Sequence, residues 1–179
     1  MKEFLFSGCI LFFIFSHPIF SQTISSKHSS STIEINIGGE MFGSKNAAAL
    51  IGYNIKLNYY IQERLIGSLL YKSGVDFSDF GAVEPLEESE KLMNYLDEAG
   101  ILIGYRLSEI PTGPYGRIGV SYLSGRKNNG QYVQTIGIPL EGGVNFQLCR
   151  FFSMGFVLTG NLNREISYWG FNLNAGIGL

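Results

Sequence analysis

Beyond residue 31 the chain alternates apolar and polar side chains with a period of two, the pattern of strands whose two faces meet different surroundings. Ile33, Ile35 and Ile37 alternate with Glu34, Asn36 and Gly38. Ile51, Tyr53, Ile55, Leu57 and Tyr59 alternate with Gly52, Asn54, Lys56 and Asn58. The last segment runs Trp169, Phe171, Leu173, Ala175, Ile177, Leu179 against Gly170, Asn172, Asn174, Gly176 and Gly178. The alternation predicts eight strands, over about 31–43, 49–60, 64–74, 101–108, 114–124, 131–146, 151–162 and 166–179. The third is the least regular, because Ile66 and Leu70 stand on its otherwise polar side.

A pentad of apolar, Gly, apolar, any, apolar recurs at Ile51–Ile55, Ile103–Leu107, Ile118–Tyr122, Ile136–Leu140, Met154–Leu158 and Trp169–Leu173. Each copy puts its glycine on the polar face. Glycine weakens a strand, so this recurrence points to a crowded side where larger groups need room, as inside a small closed barrel.

Alternation alone leaves open whether the apolar face looks in or out. Only 16% of the 179 residues are charged, against 45% hydrophobic, too few charges to coat a water-facing surface. The polar faces are mostly Gly, Ser and Asn, with about one charge per strand: Glu34, Glu40, Lys56, Lys72, Arg106, Arg117 and Glu141. Both signs are present, so these groups can pair inside a narrow lumen, where an isolated ion is costly. Tyr59, Tyr60, Tyr105 and Tyr115 mark one rim, and Tyr71, Tyr122, Tyr132, Tyr168 and Trp169 the other, as in the aromatic girdles at lipid–water interfaces. The expected fold is therefore an all-β, eight-stranded antiparallel up-and-down transmembrane β-barrel with apolar side chains outward. A secreted soluble barrel holding a small apolar ligand, as lipocalins do, is the alternative.

With both strand ends in the periplasm, the odd connections fall outside the cell and tend to be longer. The longest, about 75–100, is one of them, and so is Arg126–Gly130. The long loop carries Asp76, Asp79, Glu84, Glu87, Glu88, Glu90, Asp97 and Glu98 against Lys91. Within it, Pro85 to Ala99 predicts a short helix, with Leu86, Met93 and Leu96 on one side and Gly100 as its stop. This acidic lip can dock a cation or a basic protein partner; the plainer reading, a solvated loop kept soluble by its charge, is favoured.

The first 21 residues have the layout of a cleaved signal peptide: Lys2, an apolar run from Phe4 to Phe15, a break at His17-Pro18, and Ser21 before the cut. That run is too short for a transmembrane helix, which needs roughly 20 residues. Residues 22–31, rich in serine, read as a flexible lead-in, and 32–179 as the barrel domain. After cleavage His28 and Cys149 are the remaining His and Cys, so no disulfide, zinc site or Ser-His-Asp triad is expected, and no cofactor. A formal charge of −2 gives no basic footprint for nucleic acid. Gly38 to Lys45 resembles a phosphate loop only superficially, since Ser44-Lys45 reverses the required order. Glu34 and Glu40 are a formal acid–base pair, but interior ion pairing is the favoured reading, and the chain is not expected to be an enzyme.

The stretch Ile136-Gly137-Ile138-Pro139-Leu140-Glu141, the turn near Cys149, Asn161-Leu162-Asn163, Ser167-Tyr168 and the glycine-rich last strand resemble the small outer-membrane β-barrel domain family, porin-like and of PorT type. The resemblance implies a Gram-negative outer-membrane location and insertion by the barrel-assembly machinery through the C-terminal strand. Leu179 stands where such barrels commonly end in an aromatic. Pro139 lacks a ladder donor inside a strand, so a bulge is expected there. The function expected is structural, adhesive or accessory to transport or assembly, around an interior filled by side chains.

Overall fold

A computed structural model describes residues 33–44, 47–62, 64–76, 93–108, 112–127 and 130–179. The expected signal peptide, the lead-in and the loop carboxylates Asp79, Glu84, Glu87, Glu88 and Glu90 lie outside the described residues. Eight strands follow one another: β1 (Ile33–Ser44), β2 (Ala47–Tyr60), β3 (Leu65–Asp76), β4 (Tyr95–Arg106), β5 (Gly113–Arg126), β6 (Tyr132–Cys149), β7 (Phe152–Leu162) and β8 (Tyr168–Gly178). Each pairs antiparallel with its neighbours in sequence, and β8 closes on β1.

The register fixes the size of the cylinder. Stepping sideways from Ile33 passes through Tyr59, Gly67, Ile103, Ile118, Leu140, Gly160 and Trp169, and returns to β1 at Gly43, ten positions further on. A shear of this size over eight strands tilts them by roughly 40° and gives a backbone radius of about 8 Å. Side chains alone fill such a bore. Leu179 donates its N–H to the Ile33 carbonyl (2.9 Å), so both ends of the sheet meet at one opening, the near mouth. The turns after β2, β4 and β6 lie there too; those after β1, β3, β5 and β7 lie at the far mouth.

Every strand alternates between the two sides, and the side turned inward is the polar one. Asn54 and Lys56 are fully buried, whereas Ile101, Ile136 and Leu158 are 67%, 72% and 69% exposed. Ile66 and Leu70 face the bore, which accounts for their break in the pattern of the third strand. At the far-mouth turn after β7, the Asn163 carboxamide accepts from the N–H groups of Glu165 and Ile166 and donates to the Ile166 carbonyl. At the turn after β5, Gly130 takes a left-handed φ of 81°.

Two expectations are corrected. The helix over Pro85 to Ala99 is absent from its described part: Tyr95–Ala99 is strand, paired with β3 and β5, while 85–92 lie outside the described residues. Ladder bonds on both flanks override a helical spacing that only a solvated segment would express. The expected bulge at Pro139 does not occur either. Ile118 pairs with Leu140 and Ser121 with Gly137 in one unbroken register, and the ladder omits the two intervening pairs. Pro139 still pairs with Asn161 on β7, so the missing donor opens the β5–β6 ladder locally without adding a residue. The register shifts fall at Phe42/Ser44 and Gln147/Cys149, beside turns.

Candidate functional site

The inward side chains build three polar tiers and an apolar seal. At the near mouth the Glu34 carboxylate accepts the hydroxyls of Tyr60 and Ser153, and the Arg106 guanidinium stacks on the Tyr60 ring at 4.7 Å. One tier up, Lys56 donates to both Glu141 oxygens (3.0 and 3.1 Å), Arg117 reaches the same carboxylate at 3.4 Å, and its guanidinium stacks on Tyr115 at 4.5 Å. In the third tier Lys72 donates to Glu40 (2.9 Å) and to the Tyr168 hydroxyl (3.2 Å). Thr159 (2.6 Å) and Asn54 (3.2 Å) also donate to Glu40. Tyr168 donates to Glu98, which accepts from Asn161 as well (2.8 Å).

Beyond the third tier, toward the far mouth, Phe42, Leu50, Met93, Leu96, Leu123, Val133, Ile166 and Tyr168 form one buried apolar cluster. Phe42 and Tyr168 pack with ring centroids 5.0 Å apart. This cluster packs across the bore above the three tiers, with Asp76 at its own height.

The pentad glycines make room for all this. A Cβ on Gly104 would sit 2.4 Å from the Arg117 Cγ, on Gly137 2.0 Å from the Asn161 Oδ1, and on Gly170 2.5 Å from the Phe42 Cβ. On Gly52 and Gly119 it would meet backbone oxygens of the neighbouring strand at 2.1 and 2.0 Å, and on Gly155 the Asn174 Oδ1 at 2.7 Å. Interior crowding is thus the reason for the repeated motif.

The structure places Glu34, Glu40, Lys56, Lys72, Arg106, Arg117 and Glu141 in the bore, all buried. It adds two residues that the sequence reading put on the acidic loop: Asp76 and Glu98, each 1% exposed. Asp97 leaves that loop as well. It sits on the outer face of β4, where its carboxylate accepts the hydroxyls of Tyr71 (3.2 Å) and Tyr95. Of the girdle, Tyr59, Tyr71, Tyr105, Tyr122, Tyr132 and Trp169 are exposed on the outer surface, joined by Tyr53 and Tyr95. Tyr60, Tyr115 and Tyr168 are corrections: they turn inward and serve the ion network.

Parity was the available signal for all of these. Counting by twos from Gly104 reaches Leu102, Gly100, Glu98 and Leu96; from Gly74 it reaches Asp76, from Gly170 Tyr168, from Arg117 Tyr115, and from Asn58 Tyr60.

Glu34 and Glu40 cannot act on one bond. Six residues of strand hold them about 20 Å apart, whereas paired glycosidase carboxylates lie within about 10 Å. Each is instead enclosed by donors of its own tier. A cavity for an apolar ligand, which the lipocalin-like alternative requires, would need apolar inward faces along the bore. Here ions and asparagines occupy them. Cys149, at the end of β6, is an exposed free thiol.

No family model matches the sequence, and no curated protein matches it. Solved structures do match in fold. Neisserial surface protein A superposes with a TM-score of 0.58 at 13% identity, over 82% of this chain and 96% of that one. The N-terminal β-barrel domain of Pseudomonas aeruginosa OprF gives 0.57 at 15% identity, over 82% and 97%. Ail, the attachment invasion locus protein of Yersinia pestis, gives 0.54 at 13% identity, over 83% and 97%. At such identities the likeness is one of fold: this chain is a closed eight-stranded antiparallel β-barrel of the architecture those proteins share.

Proposed function

We propose that this chain is an integral outer-membrane β-barrel protein of a Gram-negative cell envelope, without catalytic activity, serving a structural, adhesive or accessory role in transport or assembly. One observation carries the reading: between the two tyrosine belts the outward side chains are almost all apolar. Ile35, Ile37, Ile55, Leu57, Leu69, Ile101, Ile103, Ile118, Val120, Phe156, Leu158, Phe171 and Leu173 are exposed to whatever surrounds the barrel. Exposed apolar patches on water-soluble monomers rarely exceed a few hundred Å². A continuous belt around a whole cylinder has its natural solvent in hydrocarbon. Strand β1, with 12 residues tilted by roughly 40°, rises about 30 Å, enough to cross the roughly 25 Å apolar band of an outer membrane.

Export through the signal peptide, insertion by the barrel-assembly machinery and kinship with the PorT-type barrels belong to the same proposal. The near mouth then faces the periplasm and the far mouth the outside. The fold likeness to a surface protein and to an attachment protein supports the adhesive form of the role. The acidic segment between β3 and β4 then reads first as a solvated extracellular loop, with docking of a cation or a basic protein as the functional alternative.

Extraction tests the reading. The protein should stay with the membrane through salt and carbonate washes, need detergent for release, and migrate faster on unheated than on boiled gels. Recovery in a periplasmic wash would refute it.

A further inference from the structure

The near mouth holds a recess with an excess of positive charge, lined by Glu34, Tyr60, Arg106, Gln147, Arg150 and Ser153 among others. Arg106 is 95% buried by its 5% exposure, yet among the described residues its guanidinium has no carboxylate and no hydrogen-bond acceptor. The guanidinium stacks on the face of the Tyr60 ring. A buried cation without an acceptor is costly, and guanidinium donors are normally matched by oxygens in the plane of the fork. Glu34, on the same tier, directs its two oxygens to the hydroxyls of Tyr60 and Ser153 and accepts no hydrogen bond from Arg106. Arg150, exposed and stacked on Phe151 at 5.3 Å, adds a second guanidinium at the rim.

The geometry points to a binding site for a carboxylate group, with Arg106 as its buried anchor and Arg150 as its gate charge. The recess is about 30 Å³, where a single water needs about 10–15 Å³. It therefore admits a terminal head group with two oxygens, and the body of the ligand stays outside the mouth. The fork of Arg106 can take two oxygens of a carboxylate or of a phosphate alike, and it is the small size of the recess that favours the two-oxygen head group over a four-oxygen one. The head group belongs either to a small organic acid or to the C-terminus of a peptide. The proposed membrane orientation enters only in the side from which the ligand arrives, the periplasm.

The test uses the full chain, folded in detergent micelles and checked by its gel mobility, with side-chain Nε–Hε signals of arginine followed by NMR. Acetate, N-acetyl-alanyl-alanine, its C-terminal amide and inorganic phosphate are titrated separately. The site predicts saturable shifts of the Arg106 signal with acetate and the free-acid dipeptide, and none with the amide. A stronger response to acetate assigns the site to small acids, and a stronger response to the dipeptide assigns it to peptide ends. Arg150→Gln, at an exposed position, should weaken binding severalfold, and Arg106→Gln, if folded by the gel criterion, about tenfold or more. An equal response to acid and amide, tighter binding of phosphate than of either carboxylate, or no saturable shift in the folded barrel would overturn the site. None of these outcomes bears on whether the barrel resides in a membrane.

Discussion

Glu141 is the side chain whose loss should reveal most about how the bore is held together. It takes two hydrogen bonds from Lys56 and one from Arg117, and all three groups are buried. At separations of 3.0 and 3.4 Å and an effective dielectric of about 20, the gross attraction to each cation is roughly 5 kcal/mol. Most of this offsets the cost of taking three ions out of water, so the intact cluster contributes little net stability. Glu141→Gln keeps the shape and removes the charge, leaving two buried cations uncompensated. The expected loss is about 3–5 kcal/mol. Lys56→Met combined with Glu141→Leu removes one cation together with the carboxylate and should recover about half of that loss. Unfolding in urea from lipid vesicles, followed by the emission of Trp169, the only tryptophan and one on the outer face, gives both numbers. A cost below about 1 kcal/mol for Glu141→Gln would mean that water reaches the middle of the bore and screens the cluster, and the account of a dry, paired interior would fail.

Three further outcomes follow from the geometry. Gly119→Val places its Cβ against the Ile101 carbonyl oxygen and should cost more than about 3 kcal/mol or prevent folding, whereas Gly142→Ala, with nothing within 4 Å, should change stability by less than about 1 kcal/mol; the folded fraction on unheated gels reports both. Asp97→Asn, on the outer face, should cost under about 1 kcal/mol, while its neighbour Glu98→Gln, buried under Tyr168 and Asn161, should cost about 2–4 kcal/mol in the same urea titration. In planar bilayers the protein should show no steady conductance, because the cluster around Phe42 and Tyr168 seals the far mouth; Phe42→Ala with Tyr168→Ala should admit small ions, and an open wild-type channel would refute the seal.

Period-two alternation is a local property, and it was enough to assign seven bore charges, the side on which each pentad glycine lies, and the outward direction of Ile35, Ile37, Ile55, Ile103 and Ile177. Those inferences needed only that neighbouring side chains on a strand point to opposite faces. The errors arose where position along the barrel mattered as well as parity. Tyr168 has the parity of Gly170 and the chemistry of a girdle residue; nothing local says whether a tyrosine near a strand end will turn to lipid or to an ion. It turned inward because Lys72 and Glu98, far away in sequence, needed its hydroxyl. Residues 95–99 satisfied helical and strand patterns alike until two flanking strands offered them ladder partners.

By itself the sequence determined the two faces of every strand, and with them a barrel whose apolar side looks outward. The tertiary structure alone decided the shear, and so which charges share a tier. Glu141 meets Lys56 across 85 residues of chain because the register of the closed sheet brings them to one height. The same closure gathers Phe42, Leu50, Met93 and Leu123 into a seal that no single strand announces. Faces follow from backbone geometry over neighbouring residues, whereas partners follow from the closure of the whole ring.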